Sequence, residues 1–113
     1  MIKVGVTPCI MYADESRDSF APKYLDYLVQ DMARYLKRVG VLPILIPSLP
    51  SDELRSFVVE MDGIVLQGGV DVAPETYKEE PIGKWKGDSN RDSIELEILE
   101  IALAAQLPVF GIC

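Results

Sequence analysis

The sequence predicts an α/β fold, an open parallel sheet of the flavodoxin-like type with helices on both of its faces. Short apolar stretches typical of buried strands alternate along the chain with stretches whose apolar residues have helical spacing. Because strands separated by helices pair in parallel through right-handed crossovers, this alternation indicates an open doubly wound sheet. The 113 residues, 26% of them charged, have the size and composition of one soluble domain or part of one.

Four strands are predicted, each a short apolar stretch bounded by turn residues. Pro8 stops the first strand, and Pro43 near the start of the second indicates a strand at the edge of the sheet. With the flavodoxin-like strand order 2-1-3-4-5, the third and fourth strands are neighbours. The four strands cover residues 2–7, 42–46, 64–66 and 109–112.

Three helices are predicted between these strands. The first begins at Pro22, carries apolar residues at intervals of three and four, and ends at Gly40. The second begins at Ser51, whose hydroxyl is a suitable N-terminal cap next to two acidic residues. The third runs from Ser89, which is predicted as its cap, to about residue 106.

Composition excludes several classes of partner. The net charge of −7 and the pI near 4.5 argue against binding to nucleic acid or to an anionic membrane surface. No apolar run approaches the roughly 20 residues of a membrane span, and a cytoplasmic location is expected. Cys9 and Cys113 lie too far apart for metal-ligand spacing or a disulfide framework. Because histidine is absent, a histidine-based catalytic apparatus within these residues is excluded.

The ends of the third and fourth predicted strands carry the candidate site residues. Gly68 and Gly69 end the third strand, where the lack of a Cβ lets a ligand approach the peptide N–H groups. Cys113 follows the fourth strand. If the two strands are neighbours, the three residues share the carboxyl edge of the sheet, which is where open α/β sheets bind ligands.

Four motifs together resemble those of a known family. They are DGIVLQGGVD (residues 62–71), PETY (74–77), NRD (90–92) and the terminal PVFGIC (108–113). In this order the set resembles class I glutamine amidotransferase-like hydrolases, and more narrowly the branch that includes gamma-glutamyl-gamma-aminobutyrate hydrolase. The similarity covers the whole chain.

The resemblance implies a cysteine nucleophile at Cys113 and an oxyanion hole supplied partly by the backbone at Gly68 and Gly69. Cys113 would attack the side-chain carbonyl of a gamma-glutamyl amide and form a thioester that water hydrolyses. A thiolate at a strand-to-helix turn gains from the helix N-terminus, which lowers its pKa. One oxyanion donor is typically worth about 3 kcal/mol. The resemblance implies no metal and no cofactor.

The general base of such a reaction is a histidine oriented by a carboxylate, and the family places both in its C-terminal half. We therefore expect residues 1–113 to be the N-terminal half of a single glutamine amidotransferase-like domain, inactive by itself. A homodimer is one expected assembly. Three alternative functions are a glutaminase subunit that passes ammonia to a synthetase partner, a flavin- or phosphate-binding module, and a phospho-acceptor domain. The loop after the first strand offers little to hold the phosphate of a flavin- or phosphate-binding module.

Several candidate residues have a second interpretation. Arg91 either reaches the substrate carboxylate or clamps the long predicted loop of residues 70–88, or else it pairs with Glu95 on the helix surface. Tyr77 in that loop contacts the substrate or only pins the loop. Cys9 is expected to be a core or loop-lining residue. The alternative for Cys113 is a small buried residue at a strand end, and the alternative for Gly68 and Gly69 is a plain turn. Asp71 and Glu75 could suggest a metal site, but two carboxylates in a loop are more often solvated.

Overall fold

The structure is a computed structural model that describes residues 1–68 and 88–112. Six strands and three helices occur within these two ranges. In chain order they are β1 (Lys3–Val6), β2 (Cys9–Met11), β3 (Leu25–Tyr27), α1 (Gln30–Arg38), β4 (Leu42–Leu45), α2 (Ser51–Val58), β5 (Gly63–Leu66), α3 (Ser89–Ala104) and β6 (Val109–Gly111). No helix in the described ranges is long and apolar enough to cross a membrane.

The main sheet has four strands in the order β4-β1-β5-β6, and every neighbouring pair is parallel. Renumbered over the four predicted strands, this order is 2-1-3-4, which confirms the flavodoxin-like prediction. β4 lies at one edge of the sheet, as Pro43 indicated. β5 is central and pairs with β1 on one side and with β6 on the other.

Helices pack on both faces of this sheet, again as predicted. Successive residues of β5 point to opposite faces. Ile64 belongs to a core cluster with Leu54 of α2 and Ile98 of α3. Val65 belongs to a second cluster with Leu36 of α1. Because Ile64 and Val65 point to opposite faces of the sheet, β5 contributes to the core on both faces.

The prediction of a helix beginning at Pro22 is wrong. Residues Leu25–Tyr27 form β3, which pairs antiparallel with β2, and α1 begins only at Gln30. The Asp26 carboxylate accepts hydrogen bonds from the Ser48 backbone N–H and hydroxyl, both at 2.8 Å. The apolar residues with helical spacing therefore belong to two separate elements, β3 and α1. Tertiary contacts override the local helical preference of residues 25–27.

The helix ends confirm one predicted boundary residue and correct two others. Gly40 follows α1 with a φ of 85°, a conformation that glycine adopts without strain. Ser51 is the first residue of α2 and not its cap, because the N-cap position is Pro50, which makes no side-chain cap. Ser89 is likewise the first residue of α3, and Asp88 is the cap, accepting from the Arg91 N–H at 3.0 Å.

Candidate active site

β5 and β6 are paired in parallel, so the strand end that precedes Gly68 and the strand end that precedes Cys113 lie at the same edge of the sheet. Leu66 is opposite Gly111, and the Ile112 N–H donates to the Leu66 carbonyl at 2.9 Å. Gly68 lies two residues beyond Leu66 and is partly buried. The carboxyl ends of these strands are therefore neighbours, as the sequence predicts.

Several predicted site residues lie outside the described residues. They are Gly69, Tyr77 and Cys113, together with the loop residues Asp71 and Glu75. The roles assigned to them stay predictions. Of the predicted site residues, the structure describes Gly68 and Arg91.

A cavity of about 560 Å³ opens beside this edge, on the face of the sheet that α1 covers. Met32 and Tyr35 of α1 form one wall, and Gly68 and Ile112 form another. Its walls are largely apolar, with Asp31 as a charged residue among them. The cavity therefore lies next to a backbone segment that sequence reasoning singled out as an approach route for a ligand.

Gln67, which follows β5, makes several hydrogen bonds at this edge and is only 3% exposed. Its Nε2 donates to the carbonyls of Thr7 at 2.7 Å and of Tyr27 at 3.1 Å. Its Oε1 accepts from the Val29 N–H at 3.4 Å, and its own N–H donates to Thr7 Oγ1 at 3.3 Å. One side chain thus ties the end of β5 to β1, to β3 and to the start of α1.

Arg91 of α3 is buried, with 4% of its surface exposed. Its Nη2 donates to the Gln67 carbonyl, and its Nε lies 2.9 Å from Glu95 Oε1. The predicted Arg91–Glu95 pair is therefore present, but its placement on the helix surface is wrong, because the two side chains are only 5% and 19% exposed. Glu95 Oε2 in turn accepts from Thr7 Oγ1 at 3.2 Å.

Burial sets the protonation of two groups beside this network. Burial raises the pKa of Glu95, and the Arg91 charge and the Thr7 hydroxyl oppose that rise. Burial likewise raises the pKa of Cys9, against a smaller effect of Arg91. Cys9 is therefore a thiol at neutral pH, and its Sγ lies 3.8 Å from the Gly68 carbonyl. Its buried position confirms the prediction of a core residue.

Sequence reasoning missed the parts of this site that connect distant segments. Gln67 and Thr7 are 60 positions apart, and although Gln67 lies in the DGIVLQGGVD motif, no role was predicted for either side chain. The available signal was the position of Gln67, a polar residue directly after an apolar strand. Within residues 1–68 and 88–112, no three His, Cys, Asp or Glu side chains are grouped to hold a metal.

Comparison with known proteins agrees with this arrangement. The family model described as peptidase C26 matches residues 3–113. The chain is 32% identical over 103 residues to a glutamine amidotransferase-like YvdE homolog of Lactococcus lactis subsp. cremoris, covering 90% of this chain and 55% of that protein. It is 33% identical over 90 residues to the YvdE protein of Lactococcus lactis subsp. lactis, covering 79% of this chain and 38% of that protein.

A more distant organism has a similar protein. Over 78 residues the chain is 36% identical to a glutamine amidotransferase of Schizosaccharomyces pombe, covering 67% of this chain and 30% of that protein. The chain thus spans about half, or less, of the length of these relatives. A family match over nearly all of the chain, on a parallel sheet with the expected strand order, settles its family. The chain belongs to the peptidase C26 family of class I glutamine amidotransferase-like proteins.

Proposed function

We propose that this protein hydrolyses gamma-glutamyl amides through a covalent thioester on Cys113. The Cys113 thiolate attacks the side-chain carbonyl carbon, and the resulting oxyanion accepts hydrogen bonds from the N–H groups of Gly68 and Gly69. Collapse of this intermediate breaks the C–N bond and releases the amine with a proton. Water then cleaves the thioester, which gives glutamate and regenerates the thiol.

One observation carries the proposal: the register between β5 and β6. Cys113 directly follows Ile112, whose N–H is bonded to the Leu66 carbonyl. Gly68 stands two residues after Leu66 on the adjacent strand, and parallel neighbours are about 4.8 Å apart. A nucleophile at position 113 and donors at positions 68 and 69 would therefore flank one carbonyl group. Family membership supports the same chemistry.

We also propose that residues 1–113 are the N-terminal half of one domain. The lengths of the relatives support this, because the chain spans 55% and 38% of the two Lactococcus proteins. The histidine and its acidic partner, which the reaction requires as a general base, would then come from the other half. An intact mass of the purified native protein equal to that of 113 residues would refute this arrangement. A cytoplasmic location and a homodimer stay predictions.

Two substrate classes fit, and each has its own support. The resemblance of the four motifs favours a gamma-glutamyl compound such as gamma-glutamyl-gamma-aminobutyrate. The names of the relatives, glutamine amidotransferase-like, favour glutamine as the substrate and ammonia transfer to a synthetase partner. The two functions differ in the amine that leaves.

An assay of the native full-length protein separates these functions. Glutamate release is measured from gamma-glutamyl-gamma-aminobutyrate and from glutamine, with Cys113→Ser as the inactive control and Cys9→Ser as the matched control. The proposal predicts release that depends on Cys113 and persists in Cys9→Ser. Faster turnover of glutamine, increased further by an added synthetase, would favour the amidotransferase. Equal release by wild type and Cys113→Ser would overturn the proposal.

A further inference from the structure

Both backbone polar groups of Gln67 are held by side chains. Arg91 Nη2 donates to the Gln67 carbonyl, and the Gln67 N–H donates to Thr7 Oγ1 at 3.3 Å. A trans peptide is planar, so the Gln67 carbonyl and the Gly68 N–H point in opposite directions. The contact of Arg91 with the carbonyl therefore fixes the direction of the Gly68 N–H, which points away from Arg91.

These contacts close into a ring of charged and polar groups. Thr7 Oγ1, which accepts from Gln67, donates to Glu95 Oε2 at 3.2 Å. Glu95 Oε1 lies 2.9 Å from Arg91 Nε, and Arg91 returns to the Gln67 carbonyl. Burying a guanidinium is costly unless it is paired and hydrogen-bonded. Here the Glu95 carboxylate supplies the opposite charge at Nε, which makes no hydrogen bond within the described residues, and the Gln67 carbonyl accepts the hydrogen bond from Nη2. Because the cost of desolvating both charges offsets their attraction, a buried ion pair is weak evidence for a role in stability.

Other uses of Arg91 fit the structure less well. A substrate contact requires the guanidinium to face the ligand, but Arg91 is not among the described residues that line the 560 Å³ cavity. A simple surface pair requires exposure, and the Arg91 side chain is 5% exposed. Gln67 and Gly68 do line the cavity. The backbone that Arg91 holds thus reaches the cavity although Arg91 does not.

We propose that Arg91, held by Glu95, is a positioning residue that aims the Gly68 N–H at the oxyanion. A cation on the carbonyl also polarises that peptide, which strengthens the N–H as a donor. This inference rests on the proposed function, because it assumes that Gly68 faces the reacting carbonyl. It goes further in assigning Arg91 and Glu95 an effect on one step, the formation of the tetrahedral intermediate.

Two reactions of the Cys113 thiolate test this assignment in the native full-length protein. With p-nitrophenyl acetate the thiolate attacks the carbonyl carbon, an oxyanion forms, and p-nitrophenolate leaves to give an acetyl thioester. With iodoacetamide the thiolate displaces iodide at carbon, and no oxyanion develops. The rate of the first reaction therefore depends on the oxyanion donors and that of the second does not. Cys113→Ser gives the background for both.

The variants are Arg91→Lys, which keeps a cation but loses the planar fork, and Glu95→Gln, which keeps the shape but loses the ion pair. Arg34→Lys is the matched control, because Arg34 makes an exposed ion pair with Asp31 at 3.3 Å on α1. Alkylation of buried Cys9 reports unfolding in the same samples. Glu95→Gln keeps the test decisive if Arg91→Lys exposes Cys9.

The proposal predicts that Arg91→Lys slows acetylation of Cys113 by about tenfold or more, a part of the roughly hundred- to thousandfold effect of losing one donor. Glu95→Gln slows it less, and iodoacetamide alkylation of Cys113 is unchanged in both variants. Equal slowing of both reactions, or of neither, with Cys9 still protected, would overturn the role of Arg91. Absence of acetylation at Cys113 in wild type would instead overturn the proposed function and the inference with it.

Discussion

Arg91 of α3 donates through Nη2 to the backbone carbonyl of Gln67 at the end of β5, and both residues are buried. This contact joins a helix on one face of the sheet to the strand end that carries Gly68. Gln67 in turn binds Thr7 after β1, so three segments are held at one edge. The segments of the candidate site are thus joined by a polar network as well as by apolar packing.

The first prediction concerns the side chain of Gln67. In Gln67→Leu, the carbonyls of Thr7 and Tyr27 and the N–H of Val29 lose their partner. An unsatisfied buried group costs about 1 to 3 kcal/mol. Because the Thr7 contact is buried and the other two are partly buried, we expect the free energy of unfolding to fall by about 3 kcal/mol. Urea denaturation followed by circular dichroism measures it. Gln30→Leu, at an exposed position of α1, is the control, and an equal loss there would contradict the prediction.

The second prediction separates two candidate caps of α3. Asp88 accepts from the Arg91 N–H at 3.0 Å and from the Tyr12 hydroxyl at 2.6 Å. Asp88→Ala is therefore expected to reduce the free energy of unfolding by about 1 to 2 kcal/mol, whereas Ser89→Ala changes it by less than about 0.5 kcal/mol. Thermal and urea unfolding of both variants measure the difference. A larger loss for Ser89→Ala would restore the cap that the sequence suggested.

The third prediction concerns the close approach of β1 to the core. A Cβ at Gly5 would lie 2.7 Å from Ile46 Cδ1 and 2.9 Å from Met61 Cγ, whereas a Cβ at Gly111 would meet no atom of the described residues within 4 Å. Because overpacking a core costs about 1 to 3 kcal/mol, Gly5→Ala is expected to lose that much stability. Gly111→Ala is the matched control and should unfold like wild type. Similar midpoints for both variants in urea would show that the core adapts.

The fourth prediction is a dependence of stability on pH. The pKa of Glu95 is raised above its ordinary value of 4.5 by burial, so the folded state binds this proton more tightly than the unfolded state. This tighter proton binding stabilises the folded state fully below pH 4.5, the ordinary pKa. The stabilisation is lost as the pH rises through the pKa that Glu95 has in the folded state. Wild type should therefore lose stability relative to Glu95→Gln as the pH increases through this window.

Urea unfolding of both proteins from about pH 4 to about pH 8 checks this sign, because the window opens at the ordinary pKa. Asp92 and Arg91 also act on Glu95, but they are present in both proteins. The difference between the two proteins then isolates one carboxyl group. A difference that is constant, or that grows in favour of wild type with rising pH, would contradict the prediction.

The sheet was predictable from the sequence because its strands are short, apolar and separated by helical segments. β5 illustrates why: Ile64 and Val65 face two cores, so the strand is apolar throughout and ends sharply at Gln67 and Gly68. The neighbouring positions of β5 and β6 followed from a strand order common to this fold. The position of Gly68 at the carboxyl edge of the sheet followed in turn.

The remaining features depend on contacts between distant residues. The prediction of a helix over residues 25–27 is wrong, because the pairing of β3 with Cys9–Met11 leaves no local signal in the sequence. The surface position assigned to the Arg91–Glu95 pair was wrong, because only the fold shows that Gln67 lies against α3. Asp88 was overlooked as a cap since Ser89 fits the same pattern one residue later.

Covalent labelling distinguishes whether Cys113 is, as we propose, the nucleophile of a site that recognises a gamma-glutamyl group. The protein is treated with a chloromethyl ketone analogue of glutamine, and digested peptides are analysed by mass spectrometry. We predict rapid labelling of Cys113, protection by an added gamma-glutamyl compound, and little labelling of Cys9, whose buried thiol has a raised pKa. Labelling of Cys9 and Cys113 at equal, slow rates without protection would contradict the account.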